Sequence, residues 1–147
     1  MLMRKYRKYV FAVVFLRRSD PQFLILHRVK NWKGWELVKG GLLDGENELD
    51  GLGREMREET GVKFKLIAKT RHFLRYAFPK GFVKDGHIYH GARGRLFLVE
   101  ALGRKVRVDR REHDRHMWVS RQEALEILTH KDQRNALNYV CRRYSLC

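Results

Sequence analysis

Seven carboxylates crowd into sixteen residues of an otherwise strongly basic chain. From Asp44 to Glu59 stand Asp44, Glu46, Glu48, Asp50, Glu55, Glu58 and Glu59, opposed only by Arg54 and Arg57, a local net charge of −5. The whole chain carries 32 Lys and Arg against 17 Asp and Glu, a net +15. The same stretch places Leu49, Leu52 and Met56 at i, i+3 and i+7, with no glycine between Gly53 and Gly61. That spacing predicts a helix over 47–60 with one apolar stripe, closed by Gly61 as a left-handed cap. At about 100° per residue, Glu55, Glu58 and Glu59 cover roughly a third of the helix circumference and flank the stripe. Like charges at these spacings repel by a few tenths of a kcal/mol per pair. Glu58 and Glu59 also lie in the last turn, where the helix dipole disfavours anions. Divalent cations would compensate, and converging carboxylate oxygens suit Mg²⁺ or Mn²⁺. The alternative is a solvated acidic face neutralised by Arg54, at i, i+4 to Glu58, and by other cations. Spacing alone leaves both open.

The rest of the chain supplies the frame. Its 147 residues suit one domain, 1–147. An apolar fraction of 44% with 12% aromatics belongs to a globular chain and excludes a disordered one. Tyr9–Leu16 and Gln22–Arg28 read as strands, and Ser19-Asp20-Pro21 between them predicts a hairpin. A short strand is expected at Trp35–Val38. Val62–Val99 is strand-like, with alternation at Phe64, Leu66 and Ala68, a loop at Pro79–Gly86, and a second long strand from Ile88 broken by Gly91 and Gly94. Arg104–His116 reads as a charged loop or short strand and Met117–Val119 as the last strand. Ser120 with Glu123 forms a capping box opening a helix through Leu125 and Leu128, and Gln133–Tyr144 reads as the terminal helix. Strands, helix, strands and helices in that order predict a mixed sheet with helices on its faces.

Tyr9–Leu16 is too short to span a bilayer. A signal peptide would begin much as Met1–Leu16 does, but no small-residue cleavage site follows. Cys141 and Cys147 are too few for a disulfide framework, and no Cys/His pattern has zinc-finger spacing. The expectation is a reducing compartment, the cytoplasm, with the two cysteines as bystanders and a tail disulfide left open. The basic surplus points to a polyanionic partner or to a solvated basic surface.

Gly40, five residues, Glu46, seven residues, then Arg54-Glu55-Met56-Arg57-Glu58-Glu59-Thr60-Gly61-Val62 resembles the Nudix box, G-x5-E-x7-R-E-U-x-E-E-x-G-U, at every specified position. The resemblance implies the Nudix fold, an α/β/α arrangement with a mixed sheet between helices. It also implies Mg²⁺- or Mn²⁺-dependent hydrolysis of a nucleoside diphosphate linked to another group. Carried over by position, Glu55, Glu58 and Glu59 are the implied metal ligands, with Glu58 and Glu59 also catalytic, and the Gly40 carbonyl assists. Arg54 is implied to pair within the loop–helix–loop, and Glu46 to orient the loop.

Flanking residues bear on the substrate. Trp35-Glu36-Leu37-Val38-Lys39-Gly40-Gly41 resembles the W-x-(F/L)-P-K-G-G approach of diadenosine polyphosphate hydrolases and RNA 5′-pyrophosphohydrolases, with Val38 in place of the proline. Leu74-Arg75-Tyr76-Ala77-Phe78-Pro79-Lys80 and Gly91–Glu100 are similar to stretches of the same branch. So is Glu112-His113-Asp114-Arg115-His116-Met117-Trp118-Val119-Ser120. Glu112 is the implied extra metal ligand or general base. Arg28, Lys39, Tyr76 and Lys80 are the implied substrate-binding residues, Lys39 for phosphate and Tyr76 for stacking a base. The seven histidines show no ligand spacing and receive no role. The expected substrate is a dinucleoside polyphosphate such as diadenosine tetraphosphate. The alternatives are the 5′-triphosphate end of RNA and a nucleoside triphosphate or ADP-ribose. A rival of another class is a non-catalytic nucleotide- or RNA-binding Nudix module, against which the intact box glutamates argue. No membrane partner is expected, and oligomeric state is not legible.

Overall fold

The structure, a computed structural model, describes residues 5–84 and 86–147; the side chains of 79–82 and 84 lie outside that description. Among the described residues, seven strands form one mixed sheet. They are β1 (Tyr6–Leu16), β2 (Gln22–Arg28), β3 (Gly34–Glu36), β4 (Val38–Gly41), β5 (Phe64–Lys84), β6 (His87–Ala101) and β7 (His113–Val119). The order is β3-β2-β1-β6-β5, with β4 also on β1 and β7 also on β2. The centre is the parallel pair of β1 and β6, in register from Tyr6 opposite Gly91 to Phe15 opposite Glu100.

Alternation along these central strands builds a core on each face. Phe11, Val13, Phe15, Phe23, Ile25, Leu96 and Leu98 point to one side, where they meet Ala124, Leu128, Ala136, Leu137 and Val140 of the C-terminal segment. That segment contains α2 (Arg121–Ile127) and α3 (Lys131–Arg143). Val10, Ala12, Val14, Leu24, Leu26, Phe97 and Val99 point to the other side, against Leu52 and Met56 of α1 (Glu48–Glu59). The expected helix–sheet–helix layering is therefore present.

Several local expectations change. The hairpin exists only at its base, where Phe15 and Leu16 pair with Phe23 and Gln22; beyond it β1 takes β4, while β2 takes β3 and β7. The single strand expected at Trp35–Val38 is two, because the chain changes partner at Leu37. The Leu37 amide at this break donates to Gln133 Oε1 at 2.7 Å, so it is not left unsatisfied. The loop expected at Pro79–Gly86 is mostly strand: β5 and β6 stay paired out to Lys84 opposite His87, and Gly86 turns with φ +76°. The register shifts between Ala77 and Phe82, an irregularity of the kind that accommodates a proline. Gly91 and Gly94 do not break β6. A Cβ at either would strike a neighbouring carbonyl, that of Tyr76 or Tyr9, so only glycine lets the strands approach. The last strand begins at His113, four residues before the expected start.

Helix α1 starts at Asn47, whose side chain accepts from the Asp50 amide at 2.9 Å, and ends at Thr60 before Gly61 at φ +64°. Its buried face is Gly51, Leu52, Glu55, Met56 and Glu59. Leu49, expected on the stripe, is 49% exposed, because the first turn lies at the wall of an open cleft. The capping box of Ser120 and Glu123 is formed. Cys141 and Cys147 are joined as a disulfide. No helix among the described residues is long and apolar enough to cross a membrane.

Candidate active site

A cleft of about 400 Å³ opens at the edge of the sheet, where β1, β4, α1 and the loop before β7 meet. Glu55, Glu58, Glu59 and Glu112 line it, together with Arg7, Arg28, Lys39 and Gly40. Glu55 and Glu59 are buried, at 6% and 5% exposure, while the Glu58 side chain is half exposed. The Gly40 backbone runs so close to Glu55 that a Cβ there would overlap the carboxyl group.

Burial disfavours the ionised form of both buried carboxyls. Burial pushes Glu55 up to about 7; Arg54 opposes the rise, and Glu59 and Glu58 add to it. Burial also raises Glu59, with His113 pulling it down and the adjacent Glu112 pushing it further up. Glu59 Oε2 is buried without a hydrogen-bond partner. Ligand atoms of Glu59, Glu112 and His113 lie within 4.8 Å of one another. An orphaned buried carboxylate oxygen beside further carboxylates fits a hard divalent cation. Glu59 and Glu112 could hold one, and Glu55 and Glu58 line the same cleft.

Behind this wall, Glu36 gathers the cations. It is 1% exposed and meets His113 Nε2 at 2.7 Å, Arg28 Nη1 at 3.2 Å and Lys39 Nζ at 3.7 Å. Burial disfavours its charge, yet Lys39, His113 and Arg28 together hold its carboxyl below the usual range. His113 is pushed up to about 9: burial opposes the proton, and Glu36 and Glu59 on its two nitrogens overcome that. Its Nδ1 is 3.1 Å from Glu59 Oε2 but misaligned for a hydrogen bond. Lys39 is 8% exposed at the side chain, donates to the Tyr76 hydroxyl at 3.0 Å, and lies 5.3 Å from both the Tyr9 and Tyr76 ring centres. Burial works against its charge, and Glu36 keeps the ammonium protonated far above neutrality.

Arg54 ties the loop to the helix. Its guanidinium donates to both Glu46 oxygens at 2.8 and 2.9 Å, to the Gly41 carbonyl at 2.9 Å, to Glu55 at 2.9 Å and to Glu58 at 3.1 Å. Glu46 also accepts from the Leu43 amide at 3.0 Å. Its bonds to Arg54 hold its carboxyl down to about 2.

The structure therefore brings together Arg28, Lys39, Gly40, Glu55, Glu58, Glu59 and Glu112. Tyr76 stands behind Lys39 and does not line the cleft. Its ring lies 6.3 Å edge-on from Phe11 and Tyr9 and 5.7 Å from Phe78, against the core. Lys80 is on β5, and its side chain lies outside the described residues. Sequence reasoning missed Glu36 and His113, and it read Arg7 only as one of the basic residues of Arg4–Lys8 that could track a nucleic-acid backbone, not as part of this cleft. The spacing of Glu36 and Lys39 at i, i+3 is the single local signal that could have marked the first.

An acidic helix face is set against a cation-lined wall, on a mixed sheet between helices. Residues 6–140 match the family model for the NUDIX domain, and the chain belongs to that family. It is 40% identical over 80 residues to an RNA pyrophosphohydrolase of Ruthia magnifica subsp. Calyptogena magnifica, a match covering 52% of this chain and 41% of the relative. It is 34% identical over 104 residues to an RNA pyrophosphohydrolase of a Nitratiruptor species, covering 68% and 66%. The chain thus spans less than two thirds of either relative. Among solved structures, a C. elegans Ap4A hydrolase binary complex is similar at TM-score 0.73 with 17% identity, covering 95% of this chain and 98% of that one. A MutT protein from Methanosarcina mazei is similar at TM-score 0.73 with 20% identity, covering 98% and 99%. These two likenesses are of fold.

Proposed function

We propose that this chain is a divalent-metal-dependent pyrophosphohydrolase. Water attacks a phosphorus of a nucleoside polyphosphate, the P–O–P bond breaks, and two phosphate-bearing products leave. The observation that carries this reading is that Glu55, Glu58, Glu59 and Glu112 share one small cleft with Arg7, Arg28 and Lys39. When bound, Mg²⁺ or Mn²⁺ supplies charge neutralisation and a more acidic water. Glu55, Glu58, Glu59 and Glu112 would hold the metal, with the Gly40 backbone packed against Glu55. Glu58, Glu59 and Glu112 are the carboxylates nearest in role to the attacking water, and one of them takes its proton. Arg7, Arg28 and Lys39 would bind phosphate oxygens through charge-assisted bonds. Glu36 and His113 position them: Glu36 fixes Arg28 and Lys39, and His113 stands between Glu36 and Glu59.

For the substrate, we favour the 5′-polyphosphate end of RNA. The names of the two curated relatives support it, and so does a net charge of +15, which attracts long polyanions. A dinucleoside polyphosphate, the sequence-based expectation, is the second reading. It rests on the resemblance carried by Leu74–Lys80, while Tyr76 itself bonds to Lys39 from behind and does not line the cleft.

The test is a substrate panel at matched salt with Mg²⁺ or Mn²⁺: 5′-triphosphorylated RNA, diadenosine tetraphosphate, ADP-ribose and the nucleoside triphosphates. Glu58→Gln should lower the rate on the best substrate by at least ~10²-fold, the scale of a lost acid–base group. Equal rates in the two proteins, or no turnover of any substrate, would leave a non-catalytic binding module as the better reading.

A further inference from the structure

On the opposite face of β1 lies a second cleft, of about 820 Å³, where α1 stops covering the sheet. Its floor is Tyr6 and Lys8 of β1, Arg93 and Arg95 of β6, and Lys69 and Phe73 of β5; its wall is the first turn of α1 with Leu42 and Leu49. The metal-site glutamates line the other cleft, so the proposed hydrolysis makes no use of this one.

The strand register makes its chemistry unusual. Lys8 pairs with Arg93 across β1 and β6, and Arg93 pairs with Arg75 across β6 and β5. Three exposed cations therefore stand in one row across three strands. Like charges directly opposite on neighbouring strands are destabilising. Among the described residues no carboxylate forms an ion pair with Lys8, Arg75 or Arg93; Glu48 is engaged with Arg95 at 3.1 Å and Lys69 at 3.5 Å. Aromatic rings are interleaved with the row. The Arg75 guanidinium lies 5.3 Å from the Tyr6 ring centre, and those of Arg93 and Arg95 lie 5.1 and 4.6 Å from that of Phe73. Phe73 is 42% exposed and Leu49 49%, so apolar surface is open on the same floor and wall. Cations that follow a phosphate backbone, with rings and guanidinium planes that stack bases, are the two components of single-strand recognition.

We propose that this cleft binds single-stranded RNA, with Lys8 and Arg93 of its floor and Arg75, next to Arg93 just outside the cleft, on successive phosphates, and Phe73 with its guanidinium neighbours against a base. The inference deepens the RNA reading above: the track would hold the RNA body while its 5′ end occupies the metal cleft. The two clefts share one lip. Gly41 and Leu43 line the metal cleft and Leu42 lines the other, so a strand leaving the first crosses this loop to enter the second.

The experiment uses the whole chain and a 3′-labelled, 12-nucleotide single-stranded RNA with a 5′-hydroxyl, which carries no polyphosphate and cannot be hydrolysed at one. Anisotropy titrations at several salt concentrations compare the native protein with Phe73→Ala and with the double variant Lys8→Glu/Arg93→Glu. Phe73→Ala should raise Kd at least ~5-fold, the lower end of a lost base stack. The charge reversals should raise it at least ~10-fold and flatten the salt slope by about 1.4, two contacts at roughly 0.7 each. All these positions are exposed, and circular dichroism confirms folding. Hydrolysis of the best mononucleotide or dinucleotide substrate should be unchanged in the variants, while KM for triphosphorylated RNA rises. If both variants bind the 5′-hydroxyl RNA as tightly as the native protein, or if the native protein does not bind it, the track is refuted, whichever substrate the metal cleft hydrolyses. If binding behaves as expected but triphosphorylated RNA is not cleaved, the track stands and the substrate reading fails.

Discussion

Replacing Glu36 by glutamine keeps the side chain's size and one acceptor oxygen but removes the charge that three buried cations share. His113, Arg28 and Lys39 lie 2.7, 3.2 and 3.7 Å from its oxygens, and the side chain is 1% exposed. Removing one partner from a buried ion pair costs about 3–5 kcal/mol. His113 relieves part of this by losing its proton, whereas Arg28 and Lys39 stay charged at neutral pH. The lower end, about 3 kcal/mol, is therefore expected. In a domain of this size each kcal/mol shifts Tm by about 2–4 °C, so Glu36→Gln should melt about 6–12 °C lower. The assay is thermal unfolding in EDTA across pH. In the native protein His113 is raised from 6.5 to about 9. Its contribution is full below pH 6.5 and is lost as pH rises through about 9. Native stability should thus decline over that window, most cleanly above pH 7.5, and the variant's profile should be flatter there. A fall of less than ~2 °C together with an unchanged pH profile would falsify the claim that Glu36 organises this wall.

Glu55, raised from 4.5 to about 7, stabilises the metal-free protein fully below pH 4.5 and loses that contribution as pH rises through 7. Because a metal takes the carboxylate form, Mn²⁺ affinity should climb with pH to about 7 and then level, with protons released on binding. Calorimetry in buffers of different ionisation enthalpy checks this, and proton release that is zero at pH 6 would count against Glu55 as a ligand. Gly40→Ala should weaken Mn²⁺ binding at least ~10-fold, the scale on which disturbed metal-site neighbours act, because its Cβ overlaps the Glu55 carboxyl. Gly53→Ala, whose Cβ meets nothing, should bind Mn²⁺ normally and gain up to ~1 kcal/mol of stability from helix propensity. Native affinity in Gly40→Ala would show that Glu55 does not sit where the metal binds.

What could be read from the chain alone were the features whose partners are close in sequence. The carboxylates of α1, the Ser120–Glu123 box and the Arg54–Glu58 pair all join residues one turn apart, and a helical period reveals them. The core strands were legible too, because two-sided burial makes them continuously apolar. Glu36 was not, since its burial depends on β3 pairing with β2 and on His113 arriving from a segment 77 residues away. The loop expected at Pro79–Gly86 failed for a related reason: glycine and proline signal turns locally, while a long antiparallel partner holds the ribbon together through a register shift. The cation row carries this furthest. Lys8, Arg75 and Arg93 look like three unrelated surface charges until the parallel register of β1 on β6 and the antiparallel register of β5 on β6 set them side by side. Scattered basic residues need no partner, because each can be solvated separately. Three aligned on one sheet face repel one another, and a polyanion laid across them turns that repulsion into binding.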